Sequence, residues 1–184
     1  MIEFRRYNNV EARDIRDTVM DVFTRSYVDA IASGDPFDSP QAFGERFDSY
    51  TRGPGFDLLV AYSSGVAVGQ SWGWPLGVGA RWWGGLKLDD PAEDHAAFTH
   101  EDGSRTFALS EIMVDADHTG RGYARALHDE LLRARSELRG TLLVEPDNEQ
   151  AYAKYRRWGW SRVGTLTPSW DHAPTLDVLV RPLR

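Results

Sequence analysis

The stretch from Ser110 to Leu127 holds the residues best suited to chemistry. An apolar run carrying Glu111 ends near Val114, glycines follow at 120 and 122, and apolar residues at helical spacing begin. The first N–H groups of a helix lack internal acceptors and point outward, so a helix entered through glycines binds phosphate. Glycine also lets the backbone approach a ligand closely. Arg121 and Arg125 add charge that a phosphate can accept in hydrogen bonds. Glu111 suits a general base, because a carboxylate among apolar neighbours has a raised pKa. One reading of the turn is a plain strand-to-helix connection. A second is a dinucleotide-binding G-x-G-x-x-G/A turn, with Glu145 as the ribose-binding acid; here Gly120 and Gly122 fit and Arg125 departs from the pattern.

A third reading comes from a resemblance. Thr119-Gly120-Arg121-Gly122-Tyr123-Ala124 resembles the Q/R-x-x-G-x-G/A acyl-CoA pyrophosphate loop of the GNAT superfamily of N-acetyltransferases, with Thr119 where Gln or Arg is usual. Asn148-Glu149-Gln150-Ala151-Tyr152-Ala153-Lys154-Tyr155-Arg156-Arg157-Trp158-Gly159-Trp160 is similar to that family's N-x-x-A-x-x-x-Y-x-x-x-G-F, with Trp160 replacing Phe. The resemblance implies acetyl-CoA as co-substrate, its pyrophosphate held by Thr119, Gly120, Arg121, Gly122, Tyr123, Ala124 and Arg125. It also implies that the strands around Val114 and Leu143 splay apart. The pantetheine arm would then bond main-chain groups of Ile112, Met113 and Val114, one of which could serve the oxyanion. Asn148 would be both a helix cap and a coenzyme contact. Tyr155 becomes a coenzyme contact, its hydroxyl facing the sulfur, and the general acid for the departing thiolate, with Tyr152, one position off the match, as the alternative acid.

Acyl transfer to an amine needs a base, because an alkyl ammonium has a pKa of about 10. Glu111, acting directly or through a water, is the first candidate; the competing reading is an outward-facing or arginine-paired carboxylate. Glu145 is the second, against a loop carboxylate bonding N–H groups ahead of Asn148. Trp72, Trp74, Trp82 and Trp83 precede an acidic run of Asp89, Asp90, Glu93, Asp94, Glu101 and Asp102. Aromatic rings beside acids can cage an amine, so Trp72 and Trp74 join Glu111 and Glu145 as candidate substrate residues. Core packing for the tryptophans and a solvated surface for the acids are the alternatives. His95, His100 and His118 lack metal-ligand spacing, so no metal is expected.

The elements that must position these residues follow from periodicity. Ile2–Arg6 alternates as a strand, and Asn8 with Glu11 forms a capping-box pattern. Helical spacing runs from Ile15 to Ile31, with Gly34 as a stop, and Ser39-Pro40 opens a second helix that Gly53 ends. Asp57–Tyr62 and Val66–Trp74 read as a hairpin turned at Ser63-Ser64-Gly65. Phe107–Val114 is a strand, Arg121–Ser136 a helix, Thr141–Val144 a strand and Glu149–Trp158 a helix. Trp160–Leu166 and Thr175–Val180 form a last hairpin around Pro168–Pro174. Residues 75–105 carry no clear periodicity and read as a long loop insertion. The expected fold is mixed α/β: a mostly antiparallel sheet of about seven strands with about four helices, GNAT-like, in a single domain over residues 1–184.

Composition narrows the classes. The chain has 184 residues and no cysteine, which excludes disulfides, thiolate metal sites, iron–sulfur clusters and a cysteine nucleophile. Acids outnumber bases 28 to 21, for a net charge of −7, so a nucleic-acid surface is not expected and an amine partner suits better. The bases are nearly all arginine, with Lys87 and Lys154 the only lysines. No apolar run reaches membrane-span length and the N-terminus lacks a signal-peptide pattern, so a cytoplasmic protein without membrane partners is expected. The expected function is transfer of an acetyl group from acetyl-CoA to a primary amine of a small molecule or peptide, with a homodimer as an option. A non-catalytic acyl-CoA-binding or amine-sequestering module of the same fold is the alternative.

Overall fold

A computed structural model describes residues 2–169 and 173–184. By its contacts the chain divides into two compact units, Met1–Trp74 with Leu109–Ala134, and Pro75–Ala108 with Arg135–Arg184.

In the first unit, β1 (Ile2–Asn8) pairs antiparallel with β2 (Asp57–Ser63), and β2 with β3 (Val66–Pro75). The β2–β3 turn has Ser64 at φ 51° and Gly65 at φ 82°, two successive left-handed residues whose twist suits a tight hairpin. Four helices join β1 to β2: α1 (Asn9–Asp14), α2 (Arg16–Ser26), α3 (Val28–Ser33) and α4 (Pro40–Tyr50). The capping box forms as read. Asn8 Oδ1 accepts from the Val10 and Glu11 N–H groups at 2.9 and 3.0 Å, and the Glu11 carboxylate accepts from the Asn8 N–H at 2.9 Å. Asn8→Ala is expected to cost about 1 kcal/mol, seen as a lower urea midpoint with an unchanged slope. The single helix expected from Ile15 to Ile31 is instead broken at Ile15 and Tyr27, whose φ/ψ values of −105°/22° and −108°/35° leave the helical region. Gly34 does stop α3 at φ 79°, and Ser39 Oγ caps α4 through the Ala42 N–H at 3.2 Å.

The apolar faces of these helices bury against the strands. Phe23 stacks on Phe43 at 3.8 Å between centroids. Trp72, 1% exposed, packs against Phe43, Phe47 and Phe56 at 5.7, 5.6 and 6.2 Å. Strand β5 (Thr106–Val114) adds to β3, and α6 (Tyr123–Arg133) follows it. Gly69 lets α6 come close to β3, since a β-carbon there would sit 3.0 Å from Leu127 Cδ1 and from the Met113 carbonyl oxygen.

In the second unit, the start of β5 pairs in parallel with β6 (Arg139–Val144), joining Thr106–Ala108 to Arg139–Thr141. β6 pairs antiparallel with β8 (Leu176–Pro182), and β8 with β7 (Ser161–Leu166). The region read as a long loop is built of short elements. A 3₁₀ turn at Arg81–Trp83 precedes β4 (Leu86–Leu88), which pairs antiparallel with β7, and α5 (His95–Thr99) follows. Trp83 and Phe98 are buried there, ring to ring at 5.4 Å. α7 (Glu149–Arg157) lies between β6 and β7 in the chain. The strand order is β1-β2-β3-β5-β6-β8-β7-β4, one eight-stranded sheet in a mixed α/β protein. The turn expected around Pro168–Pro174 includes Trp170, Asp171 and His172, which lie outside the described residues.

Candidate acyl-transfer site

The glycine turn has the conformation its sequence implies. Gly120 and Gly122 hold φ 76° and 80°, a region costly for other L-residues. α6 begins at Tyr123 and not at Arg121, because Gly122 is its left-handed N-cap. Having no side chain, Gly122 accepts from none of the first helical N–H groups, and the first backbone bond closes only from Ala126 N–H to the Gly122 carbonyl at 3.0 Å. The N–H groups of the first turn thus remain for an outside acceptor, at the positive end of the helix dipole. Apart from the glycine and its two chain neighbours, no atom of the described residues lies within 4 Å of where a β-carbon on Gly120 or Gly122 would be.

The side chains around the turn are less open. Thr119 is exposed and its hydroxyl donates to the Ala116 carbonyl at 3.0 Å. Arg121 donates to the Asp117 carbonyl at 3.3 Å, and Arg125 pairs with Asp129 at 2.5 Å. Ahead of them, Asp115 is 5% exposed, bonded by the Asp117 N–H and ion-paired with Arg25, which ties the turn to α2.

Glu111 sits on β5 just before this turn. The Ser71 hydroxyl donates to its main-chain oxygen at 2.9 Å, fixing the strand beside β3. Its carboxyl is half-buried and accepts no hydrogen bond among the described residues. Burial pushes its pKa from the usual 4.5 to about 7, against the pull of the Arg46 guanidinium and with a push from Asp38. Tyr50 is part of the same group. Its pKa is raised by burial and by Glu111, while Arg46 and a hydrogen bond with Ser110 lower it. Its ring lies 4.6 Å from that of Trp74. Arg46 and Tyr50, one turn apart on α4, therefore share a face with Glu111 before them. A group ionising near neutrality, with free lone pairs and aromatic walls, can take a proton from a polar ligand.

Of the residues singled out from sequence, the first unit holds Trp72, Trp74, Glu111, Ile112, Met113, Val114 and Thr119–Arg125. Trp74 lines the Glu111 group. Trp72 does not reach a surface: it is a core ring, and its position there corrects the aromatic-cage reading. Met113 is buried with its sulfur accepting from Gln70 Nε2 at 3.2 Å, while Ile112 and Val114 are half-buried. Arg46, Tyr50 and Asp38 were not singled out from sequence.

The second unit holds Glu145, Asn148 and Tyr155. Asn148 caps α7, its Oδ1 accepting from the Ala151 N–H at 3.1 Å, and its own N–H donates to the Glu145 carbonyl at 3.1 Å. Glu145 is exposed. Tyr155 is half-buried, its ring edge-on to Trp158 at 5.8 Å and to Trp160 at 6.4 Å. Tyr152 bonds Asp177, and burial together with that carboxylate raises its pKa, making it a poorer proton donor. Most of the acidic run is engaged within the protein: Asp89 pairs with Arg162 at 2.7 Å, Asp94 caps α5, Asp102 accepts from Ser104, and Glu101 is buried. Among the described residues no group of three or more His, Cys, Asp or Glu is placed to hold a metal ion, and no helix is long and apolar enough to cross a membrane.

Comparison with solved structures finds the same fold in proteins of low sequence identity. An acetyltransferase from Thermus thermophilus superposes with a TM-score of 0.64 at 17% identity, over 99% of this chain and 97% of that one. The ribosomal-protein-S18-alanine N-acetyltransferase of Escherichia coli gives 0.63 at 15% identity, over 100% and 94%. The PaiA N-acetyltransferase of Thermoplasma acidophilum, solved in complex with coenzyme A, gives 0.59 at 11% identity, over 99% of both chains. Comparison with curated proteins finds no significant match. A sequence profile for the acetyltransferase (GNAT) family matches residues 18–160, which span the glycine turn, Glu111 and the Asn148–Trp160 motif, and the chain therefore belongs to the GNAT acetyltransferase family.

Proposed function

We propose that the protein transfers an acetyl group from acetyl-CoA to a primary amine of a small molecule or peptide, by direct attack in a ternary complex. The observation that carries this reading is the half-buried Glu111 carboxyl, ionising at about 7, on the strand that leads into an uncapped glycine turn. The turn's N–H groups and Arg121 bind the pyrophosphate of the co-substrate. Main-chain groups of Ile112, Met113 and Val114 bond its pantetheine arm, and one N–H stabilises the oxyanion. Two of the structural relatives are named as N-acetyltransferases and one was solved with coenzyme A, which agrees with this choice of donor.

Glu111 takes a proton from the ammonium, directly or through one water. The free amine attacks the thioester carbonyl, a C–N bond forms, and the C–S bond breaks. Tyr155 protonates the departing thiolate, the nitrogen sheds its second proton as the amide forms, and that proton replaces the one Tyr155 gave up, so that only the proton on Glu111 is released to solvent; Asn148 contacts the coenzyme. An alkyl ammonium with a pKa of about 10 is some three units above Glu111, so the first transfer is uphill by about 4 kcal/mol. That is small against the barriers enzymes lower, and far less than a carboxylate of ordinary pKa would face.

Acetyl-CoA, and not NAD, is expected to raise the melting temperature, and an amine panel is expected to release free thiol from acetyl-CoA. Tyr155→Phe is expected to lower kcat while leaving acetyl-CoA binding intact. Stabilisation by acetyl-CoA with no thiol release on any amine would favour the non-catalytic module. Stabilisation by NAD alone would overturn both.

A further inference from the structure

Arg46 makes no close ion pair among the described residues. Its guanidinium carbon lies over the Phe37 ring, 3.9 Å from the centroid, and the group donates one hydrogen bond, to the Phe37 carbonyl at 2.7 Å. It is half-buried, and the remaining donors of its planar fork are not taken up by a carboxylate. Every other half-buried arginine of this unit has such a partner: Arg16 pairs with Asp48, and Arg25 with Asp21 and Asp115. α4 directs Arg46 and, one turn later, Tyr50 to the group around Glu111, where Tyr50 meets Trp74. A guanidinium held over an aromatic ring, with donors of its fork not taken up by a carboxylate and a proton acceptor nearby, is arranged to recognise a planar anion.

We propose that the acetyl acceptor carries a carboxylate as well as its amine, with the carboxylate bound by Arg46 and the amine presented to Glu111. This inference rests on the transferase reading above and adds the acceptor's chemical class. The local charges favour a zwitterion. Arg46 offers one positive charge, and Asp38 and Glu111 offer negative charge on the same side. A dianionic phosphate would meet these two carboxylates with only one cation to balance them. A polyamine would place a second cation beside Arg46. An amino carboxylate matches both signs. The Tyr50–Trp74 pair gives its side chain an apolar, aromatic wall.

The test compares acceptors that differ only in the carboxylate: phenylalanine against phenethylamine, tryptophan against tryptamine, and leucine against isoamylamine. All are assayed for thiol release from acetyl-CoA at pH 9, where Glu111 is ionised with or without its arginine neighbour. The native enzyme is expected to prefer the amino acid of each pair. Arg46→Gln should cut that preference by about 10–100-fold, mainly through KM, and Arg46→Lys should restore part of it. The ratio within each pair is the readout, because the loss of Arg46 also acts on the Glu111 carboxyl and shifts the rate with both acceptors of a pair. An unchanged ratio in Arg46→Gln, or native preference for the decarboxylated amines, would overturn the inference and leave the transferase reading standing. If no acceptor turns over, calorimetric titration of the same pairs into the acetyl-CoA-loaded protein decides. Tighter binding of the amino acids that is lost in Arg46→Gln supports the carboxylate site, and equal or absent binding refutes it.

Discussion

Glu111→Gln is expected to lower kcat/KM for acetyl transfer by about 10²–10⁴-fold, the range that general-base catalysis contributes. The native rate should rise with pH through about 7, where the carboxyl ionises, and level off above it. The variant's residual rate should lack that rise. The same substitution has a stability signature of opposite sign. Because the folded pKa lies above the usual 4.5, the native state holds the proton more tightly than the unfolded chain does. The stabilisation this gives is fully present below pH 4.5 and is lost as pH rises through about 7, an upper bound of about 3 kcal/mol. Glutamine does not ionise, so the variant should match the native protein near pH 4.5 and exceed it at pH 8 in chemical denaturation. Loss of activity with a gain of alkaline stability identifies a carboxylate held at a functional cost. Full retained activity would exclude Glu111 as the base.

The largest loss of stability is expected from Arg139→Ala in the second unit. Arg139 pairs with Glu101 at 3.2 Å, donates to the Phe98 carbonyl at 2.6 Å and to Thr106 Oγ1 at 2.8 Å, and its guanidinium lies 4.3 Å from the Phe98 ring centroid and 5.3 Å from that of Trp83. The Glu101 carboxylate, 2% exposed, also accepts from Trp83 Nε1 at 2.9 Å and Thr106 Oγ1 at 2.7 Å. Burial pulls the Arg139 pKa down, and the second cation Arg105 adds to this against the pull of Glu101. Removing the arginine strands a buried carboxylate, a change that costs about 3–5 kcal/mol. Replacing both partners, as in Arg139→Met with Glu101→Leu, should cost less than Arg139→Ala alone, because no charge is then left unpaired. Urea unfolding of the single and double variants checks the order.

Signals in the sequence are legible where their cause is itself local. Asn8 with Glu11, Gly34, and Ser39 ahead of Pro40 each act on N–H or carbonyl groups within a few residues, so their spacing carries the information. Residues 75–105 were not legible, because what orders them is distant. β4 has three residues and exists through its ladder with β7, and Glu101 finds its cation on β6. The tryptophans show a related limit. Trp72 and Trp74 look alike as neighbours on one strand, yet packing against Phe43, Phe47 and Phe56 takes the first into the core and leaves the second beside Tyr50. In the candidate site, Glu111 and the glycines were visible by type. Arg46, Tyr50 and Asp38 come from α4 and the turn before it, and the only hint in sequence is a polar Arg46 and Tyr50 one turn apart on an otherwise apolar helix face.

Gly120 and Gly122 have open space around them, so their identity is a matter of handedness and not of size. An L-side chain there would be strained by its own backbone while touching nothing else. A D-residue would be at ease in the same torsions. The anion cradle is thus written into the chain as a local reversal of chirality. A mirror-image alanine at Gly122 would keep the turn's shape and add a methyl group beside the free N–H groups, which would separate the backbone's conformation from its openness.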